Sequence, residues 1–307
     1  MSWPKPVAGP LELTQRRLRT VRPDYPHLYA VEVGVPAGDG WVGLAGAIAD
    51  GTITNWYTAA LRRESAAGLA SVAAVGVVSM LAHAVLGRLT ATLVLDRRTH
   101  GVSAENLAVH LDEDGYVDQV AACSPTVCVL PDDKAADDPH AVVRPDLTVL
   151  LDETATQAVA TLTPVIDQVS AASRFGIVPA WNVVADSVLS TAMLVPLYLG
   201  GDELAGRAIG VALLDALVAH GARIRTRGTC QTVTREPDMY RLPVRGSCCF
   251  FYKTGPDVDQ PGDEYCTTCP LLDDTTRTRR FRALLDGYVP PRRCAVATET
   301  LPQPVLG

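Results

Sequence analysis

Helical periodicity dominates the apolar pattern of the chain. From Thr52, a residue suited to cap a helix, Trp56, Tyr57, Ala60 and Leu61 recur at helical spacing, and no charged residue then interrupts the stretch from Ala66 to Gly87. A second helical block opens near Asp152, where Ala155, Val159, Leu162, Ile166 and Val169 keep one apolar face and Pro164 is expected to kink or restart the helix. Pro179 opens a further helix whose Trp181, Val184, Val188, Met193 and Val195 face inward, with Pro196 and Gly200-Gly201 ending it. Asp202 caps the next, which carries Ile209, Leu213, Ala216 and Leu217 as a stripe and stops at Gly221. Helices in such succession predict a bundle. At its edge stand Arg174, Trp181, Asn182 and Asp186, polar or aromatic residues that serve either as a pocket wall or as structural contacts.

Strand signals are shorter. Leu28 to Val35, Leu89 to Asp96, Asn106 to Leu111 and Tyr116 to Ala122 read as strands, the last two joined by the turn Asp112-Glu113-Asp114-Gly115. Leu11 to Arg19 reads as a short surface helix with a solvated basic face. The expected fold class is therefore α+β: a mainly helical core with a small antiparallel sheet. The polar stretch Arg223 to Asp238 marks a boundary, and Met239 to Val244 reads as a strand that leads into the C-terminal region.

The uncharged run from Ala66 to Gly87 has the length of a membrane span, but alanine and glycine dominate it and Ser71, Ser79 and His83 interrupt it. A helix buried in a core, with His83 hydrogen-bonded there, is the expectation, and no integral membrane segment is predicted. The turn Gly38-Asp39-Gly40-Trp41-Val42-Gly43 matches the spacing of a dinucleotide-binding loop. Pro36 breaks the step from strand to turn, however, and Asp39 sets a carboxylate where a pyrophosphate would lie. A glycine-rich turn is the reading. A formal net charge of -7 argues against a nucleic-acid partner. The opening Met1-Ser2-Trp3-Pro4-Lys5-Pro6 lacks the continuous apolar region of a secretory signal, so the expected location is the cytoplasm, where thiols stay reduced.

That expectation changes the meaning of the cysteines. Cys248, Cys249, Cys266 and Cys269 fall within residues 248–269, and reduced cysteines this dense point to metal. A Cys-x-x-Cys turn aims two thiolates the same way, and the intervening loop allows the adjacent pair to fold back opposite them. Four thiolates suit either a [2Fe-2S] cluster or a structural zinc. Neighbouring side chains of an extended chain point to opposite faces, so adjacent cysteines favour the wider two-iron cluster modestly. Cys123 and Cys128 have no second pair nearby and read as ordinary thiols.

A Cys-Cys pair, a loop, then Cys-x-x-Cys-Pro resembles the FhuF-like family of ferric siderophore reductases. The resemblance implies a [2Fe-2S] cofactor with Cys248, Cys249, Cys266 and Cys269 as its ligands. It covers residues 245–285, and the rest of the chain agrees only in length and helical, apolar character. The loop between the pairs spans residues 250–265, longer than the family's, with Gly255 to Gly262 as the extra length. Closure entropy grows logarithmically, so that extension costs only a few tenths of a kcal/mol, roughly. On this reading residues 1–235 position a ferric siderophore and 236–307 form the cluster-binding region.

The arginine-rich segment after Pro270 presents Arg277, Arg279, Arg280 and Arg282, with Arg292 and Arg293 beyond, as a positive end on an acidic chain. These arginines are candidates to dock an acidic ferredoxin or an anionic ligand, or form a solvated face. The resemblance implies an oxidoreductase that delivers one electron to a ferric siderophore, supplied by a separate donor such as a ferredoxin or a reductase. A non-enzymatic electron carrier or redox sensor, and a zinc-stabilised binding protein, remain as alternatives.

Overall fold

A computed structural model of the chain describes residues 9–63, 70–253 and 265–290. Helix takes up about 53% of the chain and the sheets are small, so the fold is α+β. In order, the elements are α1 (Pro10–Leu18), β1 (Glu32–Val33), β2 (Trp41–Gly43), α2 (Leu44–Ala49), α3 (Thr52–Arg63), α4 (Ala70–Ala82) and α5 (Arg88–Asp96). There follow β3 (Thr99–His100), β4 (Leu107–Leu111), β5 (Val117–Ala122), β6 (Val127–Val129) and β7 (Ala141–Val143). The C-terminal half holds α6 (Leu147–Ser173), α7 (Ile177–Tyr198), α8 (Glu203–Ala219), β8 (Thr229–Arg235), β9 (Asp238–Val244) and α9 (Asp274–Tyr288).

Two of the long helices, α6 and α8, begin where a capping aspartate places them. Asp146 accepts the Val149 N–H at the start of α6, and Asp202 accepts those of Leu204 and Ala205 at the start of α8. Helix α6 runs without interruption through Pro164 and does not restart there. The missing N–H costs about 3 kcal/mol, but Leu162, Val165 and Ile166 are all buried around the proline, and that packing carries the helix through. Helices α7 and α8 cross at glycines: a Cβ on Gly206 would meet the Ala192 carbonyl oxygen at 2.0 Å, and one on Gly210 the Ala192 Cβ at 2.8 Å.

The segment Leu89 to Asp96, expected as a strand, is helix. A π-helical turn over His83–Gly87 joins α4 to α5, so the two run as one element over Ala70–Asp96. The helical period is hidden because residues 88–93 are buried all round, threonines and arginine included, which leaves only the Leu-Thr-Ala-Thr alternation visible. The strand expected over Leu28 to Val35 contracts to Glu32–Val33, and Gly34 turns away at φ 78°. Sheet topology is mixed rather than wholly antiparallel: the order β1-β5-β4-β2 contains a parallel β1-β5 pair, and β3-β6-β7 a parallel β6-β7 pair. Gly43 ends β2 and caps α2, but β2 pairs antiparallel with β4, so the glycine turn belongs to no parallel dinucleotide-binding unit.

Two helices, Ala70–Asp96 and Ile177–Tyr198, are long and apolar enough to cross a membrane by length and composition, and 67% of each apolar window is buried inside the protein. They supply much of the core, with Leu81, Leu86 and Leu89 packed in the same cluster as Val184, Val188 and Leu213. Their apolar faces are thus covered by the chain itself. The protein is expected to be recovered in detergent-free extracts; recovery only with detergent, with residues 70–96 protected from protease in membranes, would reverse this reading.

Two core histidines stay neutral. His83 hydrogen-bonds the Leu28 carbonyl through Nε2 at 2.7 Å, and burial, then Arg88, depress its pKa to about 4. His100 is 2% exposed, neither ring nitrogen has a hydrogen-bond partner, and burial depresses its pKa to about 4. Unfolding restores an ordinary value near 6.5, so below that pH the unfolded chain binds the extra proton. Stability is therefore expected to fall as pH drops from 7 and to level off below about 4, with His100 alone removing about 2 kcal/mol by pH 5. Urea midpoints at the two pH values check this; equal midpoints would mean that the folded chain accepts the proton.

Candidate metal centre

The cysteines sit where a polar hairpin meets the bundle. Strand β8, expected to be a polar connection, pairs antiparallel with β9 from Thr229↔Val244 to Arg235↔Asp238, so the boundary expected at residue 235 falls in the hairpin turn. Its inner residues Val233, Tyr240, Leu242 and Val244 pack with Val195 and Leu197 of α7 and with Phe281 and Leu285 of α9. Two buried carboxylates fasten it to the bundle. Glu203, in the first turn of α8, accepts the Arg241 N–H at 2.8 Å. Asp186, from the middle of α7 and 2% exposed, accepts the Gly246 N–H at 2.6 Å and the Ser247 N–H at 3.0 Å, and also the Ser247 hydroxyl. Asp186 thus holds the two residues that precede Cys248.

Backbone crowding fixes the same place. A Cβ on Gly246 would lie 2.7 Å from the Arg227 carbonyl carbon, and one on Gly228 would lie 2.6 Å from the Val244 carbonyl oxygen. Backbone atoms cannot give way as a side chain does. Gly246→Ala is expected to cost about 1–3 kcal/mol and to lower metal content; a wild-type melting temperature with full metal content would show that the loop relaxes freely.

The two cysteine segments lie side by side, joined where Arg245 N–H donates to the Thr268 carbonyl at 2.9 Å. Within the second, Cys269 N–H returns to the Cys266 carbonyl at 2.9 Å, closing the Cys-x-x-Cys turn. Cys269 is buried and the other three cysteines are half-buried. The sulfurs of Cys249 and Cys266 stand 3.7 Å apart. Cys248 Sγ accepts the Phe250 N–H at 3.3 Å, and Cys269 Sγ accepts the Leu271 N–H at 3.4 Å, so each outer cysteine takes a backbone donor two residues on. Phe250 adopts a left-handed conformation (φ 58°) in making this turn. Such donors favour thiolate over thiol and tune a cluster held by the sulfurs.

Charge around the thiols is uneven. The hydrogen bond with Cys249, then burial, raises the Cys266 pKa strongly. Burial raises that of Cys248, with Cys269 and Cys249 adding and the Phe250 N–H opposing. Arg245 is the counterweight. Burial works against its charge, but Asp186 and the thiols of Cys249 and Cys266 outweigh it, and its pKa lies above the ordinary value.

Among the described residues, no three His, Cys, Asp or Glu side chains converge on a point that would hold a metal ion. What converges is a pair. Two thiolates on one tetrahedral metal, with metal–sulfur bonds of about 2.3 Å, stand roughly 3.7–3.8 Å apart, the separation of Cys249 and Cys266. A donor set of four thiols with one pair already at this spacing is the set that a two-metal cluster takes, two thiolates at each metal.

The arginines divide. Arg277 lies inside, 5% exposed, donating from Nε and Nη2 to the Cys269 carbonyl, from Nη2 to that of Leu272 and from Nη1 to Gln231 and Asp274. It shapes the cysteine turn instead of facing a partner. Arg280 donates to the Tyr265 carbonyl, beside the other end of the turn. Only Arg279 and Arg282 of the four are exposed, and with Asp274, Thr275 and Thr278 they line an open groove of about 410 Å³. The inserted residues 255–262 and Arg292 and Arg293 lie outside the described residues.

Sequence reasoning gave the cysteines but missed Arg245 and the role of Asp186. A signal existed for the second: Asp186 is the one carboxylate in α7, set among Val183, Val184, Ala185 and Val188. Of the other polar residues at the bundle edge, Asn182 accepts the Arg225 and Thr226 N–H groups and Trp181 is buried in the core, both structural roles. Cys123, just after β5, and Cys128, in β6, are half-buried free thiols. In comparisons with known proteins, no family model, no curated protein and no solved structure matches the chain.

Proposed function

We propose that Cys248, Cys249, Cys266 and Cys269 hold a [2Fe-2S] cluster and that the protein is an oxidoreductase of ferric siderophores, as its cysteine motif implies. The observation that carries this reading is the approach of Cys249 and Cys266 to 3.7 Å across two segments tied backbone to backbone. Bound there, the cluster supplies a one-electron reductant. Hard oxygen donors hold ferric iron more tightly than ferrous iron, so one electron delivered to the bound siderophore loosens the metal without cleaving the chelator. The protein's own part is to hold the thiolates, keep Cys269 from water and offset their charge with Arg245. The reading implies a separate electron donor, such as a ferredoxin or a reductase, and places the protein in the cytoplasm.

Anaerobically purified protein is expected to be red-brown, to contain two iron and two sulfide per chain, roughly, and, once reduced, to be reoxidised faster by a ferric hydroxamate or catecholate siderophore. Colourless protein with one zinc per chain would overturn the cluster. A cluster indifferent to ferric siderophores would leave an electron carrier or redox sensor. Arg279 and Arg282 are the exposed cations of α9, and Arg279→Gln with Arg282→Gln is expected to slow electron entry from an acidic donor several-fold at low salt. The difference should vanish at high ionic strength, where the Debye length is only about 3 Å. Equal rates at low salt would make the helix a solvated surface.

A further inference from the structure

We infer that Asp186 and Arg245 form a buried positioning pair for the cysteine centre, with the carboxylate setting the loop and the guanidinium setting the charge beside Cys249 and Cys266. Asp186 is almost wholly buried, on a helix where the buried Val183, Val184, Ala185, Val188 and Leu189 surround it in sequence. A buried carboxylate costs several kcal/mol, roughly, unless it is paired and hydrogen-bonded. Here the compensation is complete and directed: the Gly246 and Ser247 N–H groups, the Ser247 hydroxyl and the Arg245 guanidinium all converge on it. Every one of these groups belongs to the three residues before Cys248. The core helix therefore reaches one point of the cysteine loop and specifies it.

Arg245 is the complementary part. Its backbone N–H joins the two cysteine segments through Thr268. Its side chain is largely buried, with Nε 3.5 Å from an Asp186 oxygen and without a hydrogen bond of its own. The guanidinium interacts electrostatically with Asp186 and with the thiols of Cys249 and Cys266. The pair is a dipole with its positive end on Arg245, the residue whose backbone joins the two cysteine segments. A centre that gains negative charge on reduction is favoured by that end, and the bias is little screened because the pair is buried.

Electrostatics and simple scaffolding predict different outcomes, which makes the pair testable. The inference rests on the cluster reading for one arm only. In full-length protein reconstituted with iron and sulfide, Arg245→Gln removes the positive charge of the pair while the Asp186 charge stays, and is expected to lower the equilibrium constant for one-electron reduction about tenfold, a shift of about 59 mV to more negative potential. Arg245→Lys should restore most of the wild-type value. Asp186→Asn removes the negative end and should move the potential in the opposite direction. A scaffold that merely loosened would move both variants the same way. The second arm uses full-length protein without metal: Asp186→Asn is expected to speed hydrogen exchange at the Gly246 and Ser247 amides at least tenfold, roughly, and Ser247→Ala, which removes only the hydroxyl bond, should leave those amides protected. Unchanged potentials in Arg245→Gln, shifts of one sign in both charge variants, or unchanged exchange in Asp186→Asn would overturn the pair. If wild-type protein takes up zinc and no iron–sulfur cluster, the cluster reading fails, while the exchange arm still decides whether Asp186 sets the loop.

Discussion

Serine in place of Cys249 or Cys266 is expected to abolish cluster binding, and serine in place of Cys248 or Cys269 to abolish it or grossly alter the visible and paramagnetic spectra. The structure separates these four from Cys123, Cys128 and Cys230, and Cys294, whose serine variant is also expected to keep the cluster, lies outside the described residues. Cys249 and Cys266 already stand at the spacing that one tetrahedral metal demands, and loss of either leaves that metal with a single protein thiolate. Cys248 and Cys269 each bring a sulfur with a backbone N–H donor in place. Serine is smaller and its hydroxyl is far more basic than a thiol, so it holds iron weakly at neutral pH. Cys123→Ser, Cys128→Ser and Cys230→Ser should leave iron, sulfide and spectra at wild-type levels, because none of the three belongs to the two segments that the Arg245 N–H and Thr268 carbonyl join. An unaltered spectrum in Cys249→Ser or Cys266→Ser would falsify the ligand assignment.

The Cys-x-x-Cys turn was legible because its information is local. Spacing alone brings Cys266 and Cys269 to one side of a turn, and the structure closes that turn with the Cys269 N–H on the Cys266 carbonyl. Helix α8 was legible for a similar reason, since Asp202 marks its start within one turn and its apolar face repeats; α6 was legible from its apolar face, but it starts at Leu147 behind an Asp146 cap, five residues before the start expected near Asp152. What the sequence hid is long-range. Nothing near residue 186 says that its carboxylate meets the backbone 60 residues later, beyond its being a lone charge on an apolar helix. Strand β8 was hidden because only Val233 of its seven residues is buried; the polar remainder reads as a connection until β9 is laid beside it. The segment from Arg88 to Asp96 misled in the other direction, its burial on all sides removing the contrast by which a helix is recognised.

Arg277 shows how spacing and composition can disagree. By composition it belongs to a basic surface with Arg279, Arg280 and Arg282. By spacing it shares a face with Phe281 and Leu285, the two residues of α9 most deeply packed against the hairpin, and the structure buries it with them. Arg277→Gln is therefore expected to act on the fold of the centre, where Arg279→Gln and Arg282→Gln act on a rate. Its guanidinium supplies hydrogen bonds to the carbonyls of Cys269 and Leu272 and to the Gln231 side chain. Its Nη1 also bonds Asp274, whose carboxylate is almost fully exposed, so that contact adds little. Glutamine is too short to reach both carbonyls. Hydrogen bonds from a charged donor are worth about 1.5–3 kcal/mol each, and a buried carbonyl left unpaired costs about 1–3 kcal/mol. The loss should come to about 3–4 kcal/mol, given that water can enter from the partly exposed Gln231 side. Urea unfolding of the metal-free protein measures this, and iron content of the reconstituted protein should fall with it because the Cys269 carbonyl is no longer held. Arg277→Lys reaches one carbonyl only and should recover less than half of the loss. A Gln variant as stable as wild type, with full iron and with slowed electron entry at low salt, would return Arg277 to the surface with its neighbours.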